Sequence, residues 1–400
     1  MIRVMEGDCR SVLATLPAQS VQCCVTSPPY YGLRQYLPDG HPDMDKQIGL
    51  EKTPGEYVAE MVAVFREVRR VLRDDGVLWI NIGDSYAQSG TKTTGRNDGD
   101  ANYRARTSGN AHLQHDYASN QHRTAIKVNY GVKPKDLIGI PWMVAFALRA
   151  DGWYLRSEVI WAKPNPMPES VTDRPTKAHE QVFLLSKSAR YFYDADAIRE
   201  DCSDTSHGSP NVNPGAKMDA LGQNVGGNLG RWTAAQKDAG RNARTIWTIA
   251  TQPYSGAHFA TMPADLAERC IKAGSSEKGC CPHCGAPWGR VVDVIGNAPA
   301  GHAHGERASV IKERNDNGQT AFMKKVTDQR GFAPSGDCPP HDPIPCTILD
   351  PFGGAGTTAL VADRLGRNAT IVELNSEYAA LARERVAADA GMFAQIGMEA

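Results

Sequence analysis

Ser27-Pro28-Pro29-Tyr30 puts a hydroxyl, two stiffened backbone units and a flat ring within four residues. That set suits an amine attached to an aromatic ring, such as the exocyclic amine of a nucleobase. The lone pair of such an amine is conjugated with the ring, which makes it a poor nucleophile. Acceptors on its two N–H bonds pull the nitrogen toward a tetrahedral shape. The Ser27 hydroxyl and the Pro28 carbonyl are two such acceptors, the second held in direction by its ring. Tyr30 offers a face on which an extruded base can stack. Taken alone, S-P-P-Y reads better as a proline-stiffened turn.

A second motif lies more than three hundred residues later. Asp350-Pro351-Phe352-Gly353-Gly354-Ala355-Gly356-Thr357-Thr358 follows a short apolar run and opens a helical pattern. Its glycines let the backbone turn tightly and approach a ligand. The helix start offers N–H groups to a carboxylate. Glu373 ends the next apolar run, where a carboxylate can accept both hydroxyls of a ribose. The loop lacks the G-x-G-x-x-G spacing of a dinucleotide site. Its F-x-G-x-G form fits a nucleoside cofactor without a pyrophosphate, or a glycine-rich turn with no ligand.

A third group is Cys281-Pro282-His283-Cys284 with Cys338-Pro339-Pro340-His341. Four N/S ligands in two close pairs suit a tetrahedral structural zinc, with Cys281, Cys284, Cys338 and His341 as the set. The gap between the pairs is long for a small finger. Cys280, His283 and Cys346 are further candidates, and reduced surface thiols are the alternative.

These residues need elements to hold them. Val21 to Thr26 is a β-branched, apolar run that stops at two prolines, a strand feeding a rigid loop. Val58, Met61, Val62, Phe65, Val68 and Leu72 recur at helical spacing, which predicts a helix over about 55–72 ended by Asp74-Asp75-Gly76. Val77 to Ile82 reads as a buried strand. A helix follows near 141–150, strands near 155–161 and 181–185, and a helix over 262–273. Residues 276–346 read as irregular. The last segment reads as strand 347–350, helix 357–365, strand 368–374 and helix 376–388. Strands alternating with helices imply an α/β, doubly wound, mostly parallel sheet with irregular insertions.

The 400 residues are 41% hydrophobic, enough for a large core, and carry 44 Lys+Arg against 45 Asp+Glu. Nucleic-acid contact must therefore come from local patches. Residues 85–135 form one, with eight Lys or Arg against three Asp. Arg96, Arg104 and Arg106 are its candidate DNA-binding residues. Ten cysteines are too few for a disulfide scaffold. The N-terminus has no apolar signal core and no run is long enough to span a bilayer, so a reducing, cytoplasmic protein without membrane contact is expected.

The two motifs in this order resemble the β class of DNA amino-methyltransferases, the cytosine-N4 and adenine-N6 kind. There the catalytic motif precedes the cofactor motif, a circular permutation of the common order. The resemblance extends to Glu6-Gly7-Asp8, to Gly76 through Asp84, to Trp161 through Pro166, to Asp173 through Thr176 with His179-Glu180, and to His258 through Pro263. It spans most of the chain outside the three irregular stretches.

The resemblance implies a Rossmann-like methyltransferase sheet that binds S-adenosylmethionine and acts on double-stranded DNA. Asp8 would lie on the adenine side of the cofactor. Phe352, Gly354 and Gly356 would line it, Asp350 and Thr357 of the same loop would also bind it, and Glu373 would hold the ribose. Ser27, Pro28, Pro29 and Tyr30 would form the base pocket. Within the family, Ser at the first catalytic position goes mostly with cytosine, and Asp or Asn mostly with adenine. The organisation expected is 1–84 as catalytic half, 85–135 as basic insertion and 136–200 as continued core. Residues 201–250 are expected to recognise the target, 251–275 to be a core helix region, 276–346 a Cys/His insertion and 347–400 the cofactor half. A companion restriction endonuclease is a further implied partner. A fold-sharing DNA-binding protein without activity, and a methyltransferase for RNA or protein amines, are the alternatives.

Overall fold

The computed structural model describes residues 1–87, 131–201, 241–252, 261–299, 310–314, 320–390 and 396–397. Arg96, Arg104 and Arg106 lie outside them, as do most of the basic insertion and of the 201–250 region. The elements in order are β1 (Ile2–Glu6), α1 (Cys9–Thr15), β2 (Val21–Thr26), α2 (Pro54–Val71), β3 (Leu72–Ile82), α3 (Ile140–Ala150), β4 (Tyr154–Ala162), β5 (His179–Ser186) and β6 (Ile246–Thr248). They continue as α4 (Ala264–Gly274), β7 (Trp288–Pro299), β8 (Val310–Arg314), β9 (Thr320–Pro334), β10 (Thr347–Asp350), α5 (Thr357–Arg364), β11 (Asn368–Glu373), α6 (Ser376–Ala390) and β12 (Ile396–Gly397).

Nine strands form one sheet in the order β12-β1-β11-β10-β2-β3-β5-β4-β6. Only β5 runs against its neighbours. All six residues of β2 are buried, as a parallel strand covered on both faces requires. Alternate side chains supply two separate cores. Cys23, Val25, Val77 and Trp79 pack with Leu266 and Ile271 of α4, Leu360 of α5 and Val386 of α6. Cys24, Leu78 and Ile80 pack on the other face with Leu13 of α1, Phe65 and Val68 of α2 and Leu148 of α3. The fold is thus the doubly wound α/β sheet expected.

Three local expectations differ. Helix α2 starts at a capping box, with Thr53 and Glu56 bonding each other's backbone N–H and Pro54 in the first turn. Its buried arc runs through Tyr57, Met61, Val64, Phe65, Val68 and Val71, while Val58 and Val62 are only half-buried. The arc is rotated because α2 lies against both α1 and α3 as well as the sheet. Asp74-Asp75-Gly76 does not end this helix. The chain passes from Val71 straight into β3, and the residues between Leu72 and Val77 bulge out where the register jumps from Val21↔Leu72 to Cys23↔Val77. The stretch 276–346 is not simply irregular: β7, β9 and β8 form an antiparallel three-stranded sheet. No helix among the described residues is long and apolar enough to cross a membrane.

Candidate active site

Strands β2 and β10 are parallel neighbours, with Ile348 opposite Cys23 and Leu349 opposite Cys24. From β10 the chain winds through α5 to β11 on one side. From β2 it winds through α2 to β3 on the other. The crevice at their carboxyl ends is therefore the topological switch point, where open α/β sheets bind ligands. Ser27 follows one of these ends and Pro351 the other. Residues more than three hundred positions apart are thereby brought side by side.

A buried carboxylate ties the two ends together. Asp350 accepts from the Thr26 hydroxyl at 2.6 Å, the Thr358 hydroxyl at 2.7 Å and the Phe352 N–H at 3.0 Å. Burial without a cationic partner pushes its carboxyl above the usual range, although these three bonds pull the other way. Asp350 thus sits beneath the glycine loop and positions it. Thr357 is also buried and accepts from Arg385 at 3.0 Å.

The loop's glycines divide by task. A Cβ at Gly356 would meet the Ala382 Cβ at 2.8 Å, so close packing on α6 requires glycine there. Gly354, at φ +50°, has nothing within 4 Å of such an atom and faces open space. Glu373 lies across from it, its two oxygens accepting from Gly354 N–H at 2.7 Å and Asn375 N–H at 2.9 Å. Burial raises its carboxyl above the ordinary range. Among the described residues no basic group pairs with it, so each oxygen keeps a lone pair for a ligand hydroxyl. An open glycine and a buried carboxylate with spare acceptors fit the ribose end of a nucleoside cofactor. Asp8 stands at the end of β1, beside Glu373 through a Gly7 N–H to Glu373 carbonyl bond of 2.9 Å. Its carboxylate caps α1 and pairs with Arg10 at 3.0 Å.

The S-P-P-Y loop is held from two strands and a helix. Ser27 Oγ donates to Asn81 Oδ1 over a long 3.4 Å, which aims its lone pairs away from Asn81. The Pro29 carbonyl accepts from the Tyr57 hydroxyl at 2.8 Å. Among the described residues no donor meets the Pro28 carbonyl. The Tyr30 hydroxyl donates to Glu180 Oε2 at 2.5 Å, and burial followed by the Glu180 charge holds its pKa well above normal. Glu180 also accepts from Asn81 Nδ2 at 3.0 Å and pairs with Lys163 at 2.5 Å. Lys163 in turn lies 4.4 Å from the Trp161 ring centre. Gly83 lies flush on the Tyr30 ring, where a Cβ would come within 2.5 Å of a ring carbon.

Asn81, Gly83, Lys163 and Glu180 surround the S-P-P-Y loop, and the sequence alone assigned them no role. Asn81 carried a signal, a polar residue inside the apolar run Leu78-Trp79-Ile80-Asn81-Ile82. The cysteine and histidine residues lie elsewhere, at the amino-terminal edge of the sheet. There Gln22 of β2 donates to the Gly285 carbonyl and accepts from Thr347 N–H.

A sequence model of the N6_N4_Mtase family, described as DNA methylase, matches residues 21–284 and 346–384 and passes over those between. The Type II methyltransferase M.SmaI of Serratia marcescens is 36% identical over 390 residues, 96% of this chain and 90% of that protein. M.Cfr9I of Citrobacter freundii, also a Type II methyltransferase, is 42% identical over 276 residues, 68% of this chain and 72% of its own. A solved structure described as PvuII DNA methyltransferase (cytosine-N4-specific) aligns with a TM-score of 0.48 and 15% identity, covering 96% of this chain and 90% of that one. The chain belongs to the N6_N4_Mtase family of DNA methylases and is an S-adenosylmethionine-dependent DNA amino-methyltransferase.

Proposed function

We propose that the chain methylates the N4 amine of a cytosine extruded from a specific duplex sequence. The observation that carries this reading is the Thr26–Asp350 bond, which fixes Ser27 and the glycine loop on either side of one crevice. S-adenosylmethionine supplies a methyl group already activated by its sulfonium. The chain's task is then mainly to hold two reactants in line. Glu373 would take the ribose hydroxyls, and Phe352 and Gly354 would line the cofactor, with Asp8 on its adenine side. Ser27 and the Pro28 carbonyl would accept the two N–H bonds of the amine. Tyr30, pinned by Glu180 and seated on Gly83, would present its ring to the base.

The serine at position 27 supports cytosine, since that residue goes mostly with cytosine in the class it resembles. Residues 201–250 would recognise the target sequence, and the basic insertion would contact phosphates. A companion endonuclease cutting the same sequence is the partner this reading implies. Modified-base sequencing of DNA from an expressing host reports the motif that such an enzyme must share.

Nuclease digestion of DNA treated with enzyme and cofactor, followed by mass spectrometry, tests the target atom. N4-methylcytosine is expected. N6-methyladenine alone would overturn the N4 assignment and keep the enzyme class. Ser27→Ala should cut turnover sharply and spare cofactor binding, because it removes an acceptor used in the chemical step. A Ser27→Ala protein with unchanged turnover would remove Ser27 from the chemistry.

A further inference from the structure

We propose that Cys281, Cys284, Cys338 and His341 bind one structural zinc ion that clasps the base of the insertion between α4 and β10. The Sγ atoms of Cys281, Cys284 and Cys338 lie within 4.8 Å of one another. Around a tetrahedral zinc with Zn–S bonds of about 2.3 Å, sulfurs stand about 3.8 Å apart. The three thiols therefore need only a small contraction to share an ion. All three are free, so no disulfide explains their convergence.

The backbone of the first pair is already shaped for a metal. The N–H groups of His283 and Cys284 point at Cys281 Sγ over 3.4 and 3.5 Å. Gly285, at φ +69°, turns the chain back so that its N–H reaches the Cys281 carbonyl at 2.8 Å. Two N–H donors aimed at one sulfur stabilise it as a thiolate, the form that binds metal. This loop would be needless for an inert surface thiol.

The group whose ligand atoms all lie within 4.8 Å of one another is Cys281, Cys284 and Cys338 alone, and His341 is the neighbour proposed as fourth ligand after a shift of its ring. Its Nδ1 lies 3.9 Å from Cys281 Sγ, which places the ring beside the three thiols. Nδ1 also lies 2.6 Å from the Pro339 carbonyl, while Nε2 is buried without a partner. With Nδ1–H donated to the Pro339 carbonyl, Nε2 carries the bare lone pair and is the nitrogen proposed to ligate, the usual state of a metal-bound histidine. His283 packs edge-on against His341 with ring centres 5.7 Å apart, but it is exposed.

The position gives the ion its purpose. Cys281 and Cys284 follow α4, and Cys338 and His341 precede β10, so the ligands bracket the β7-β9-β8 sheet. Cys280 and Ile344 exchange two backbone bonds of 2.7 and 2.9 Å at the same neck. Arg73 from the β3 bulge donates to the Cys284 carbonyl, and Gln22 of β2 reaches Gly285. The clasp thus ties the insertion to the amino ends of β2 and β10, the strands that carry the two motifs. Four protein ligands leave no open position, as a structural rather than catalytic site requires.

Elemental analysis of the full chain, purified without added metal, should find one zinc per chain. Cobalt-grown protein should show the visible bands of a tetrahedral site and thiolate-to-cobalt charge transfer. Cys284→Ser, Cys338→Ser and His341→Ala should each lose the ion, and His283→Ala should keep it. Since a cysteine variant can fail to fold, chelation of the wild-type protein is the second measurement: released zinc should accompany a fall in Tm. Metal-free wild-type protein with an unchanged Tm would overturn the site. Loss of zinc from His283→Ala but not from His341→Ala would overturn the ligand set.

Discussion

Asp350→Asn should be nearly harmless and Asp350→Ala damaging, and the reason is a count of hydrogens. In the native clasp Oδ1 accepts from Thr26 and from Phe352 N–H, and Oδ2 accepts from Thr358. An asparagine keeping its oxygen at the first position retains two of the three bonds. Its amide nitrogen must then face Thr358 as a donor. Thr358 can accept it, because its hydroxyl has a second acceptor in the Val25 carbonyl, 3.3 Å away. The change weakens the bonds from charge-assisted to neutral, but it removes a buried negative charge with no counter-ion, and these effects offset. Alanine instead strands the Phe352 N–H and the Thr26 hydroxyl. Each buried donor left alone costs about 1–3 kcal/mol, so about 2–6 kcal/mol in total. At about 2 °C per kcal/mol for a large chain, Tm should fall by about 4–12 °C. Thermal unfolding and calorimetric titration with S-adenosylmethionine read both variants. If Asp350 only positions the loop, Asn keeps both Tm and cofactor affinity while Ala loses both. Asn that matches Ala in lost affinity, with Tm unchanged, would show that the charge itself acts on the ligand and refute the clasp argument.

Glu373→Ala should raise the cofactor Kd by roughly tenfold to a hundredfold, the loss of one charge-assisted bond worth about 1.5–3 kcal/mol. An unchanged Kd in calorimetric titration would take Glu373 out of the site. The same residue sets a pH dependence. Its carboxyl is held above the ordinary value of 4.5 by burial, and the protonated form loses an acceptor. Cofactor affinity should therefore fall as pH drops through that raised pKa, earlier than an exposed glutamate would predict, and Glu373→Gln should flatten the profile. Neutralising Arg96, Arg104 and Arg106 together should weaken DNA binding and reduce its salt slope by up to about 0.9 for each phosphate that is no longer neutralised. A salt slope equal to that of the unaltered protein would make the basic insertion a bystander.

The parts legible in the sequence were those whose physics is local. β2 ends where two prolines forbid a ladder, and α5 begins where a glycine loop opens a helical pattern. The opposite failure marks β7, β8 and β9. Their strands pair across tens of residues, Trp288 with Pro334 and Val310 with Lys324, and a stretch rich in Cys, His, Pro and Gly shows no period to announce them. β1 and α1 were also unread, because five and seven residues are too short to display a face.

The catalytic site shows the same division at the scale of single side chains. Ser27 and Tyr30 could be singled out because their chemistry stands within four consecutive residues. The carboxylate that aims Tyr30 could not. Glu180 reaches it only because β5 runs antiparallel between β3 and β4, which sets Asn81 opposite Val182 and Trp161 opposite Glu180. A parallel strand there would send Glu180 to the other end of the sheet, leaving the Tyr30 hydroxyl only its long 3.4 Å bond to Asn81 and Lys163 without its carboxylate. The one reversed strand in the nine-stranded sheet is thus what brings Glu180 to Tyr30. Gly83 makes the same point in reverse. It reads as loop punctuation after an apolar strand, yet the nearest ring carbon stands 2.5 Å from where its Cβ would be. Its absence of a side chain is what leaves room for the Tyr30 ring.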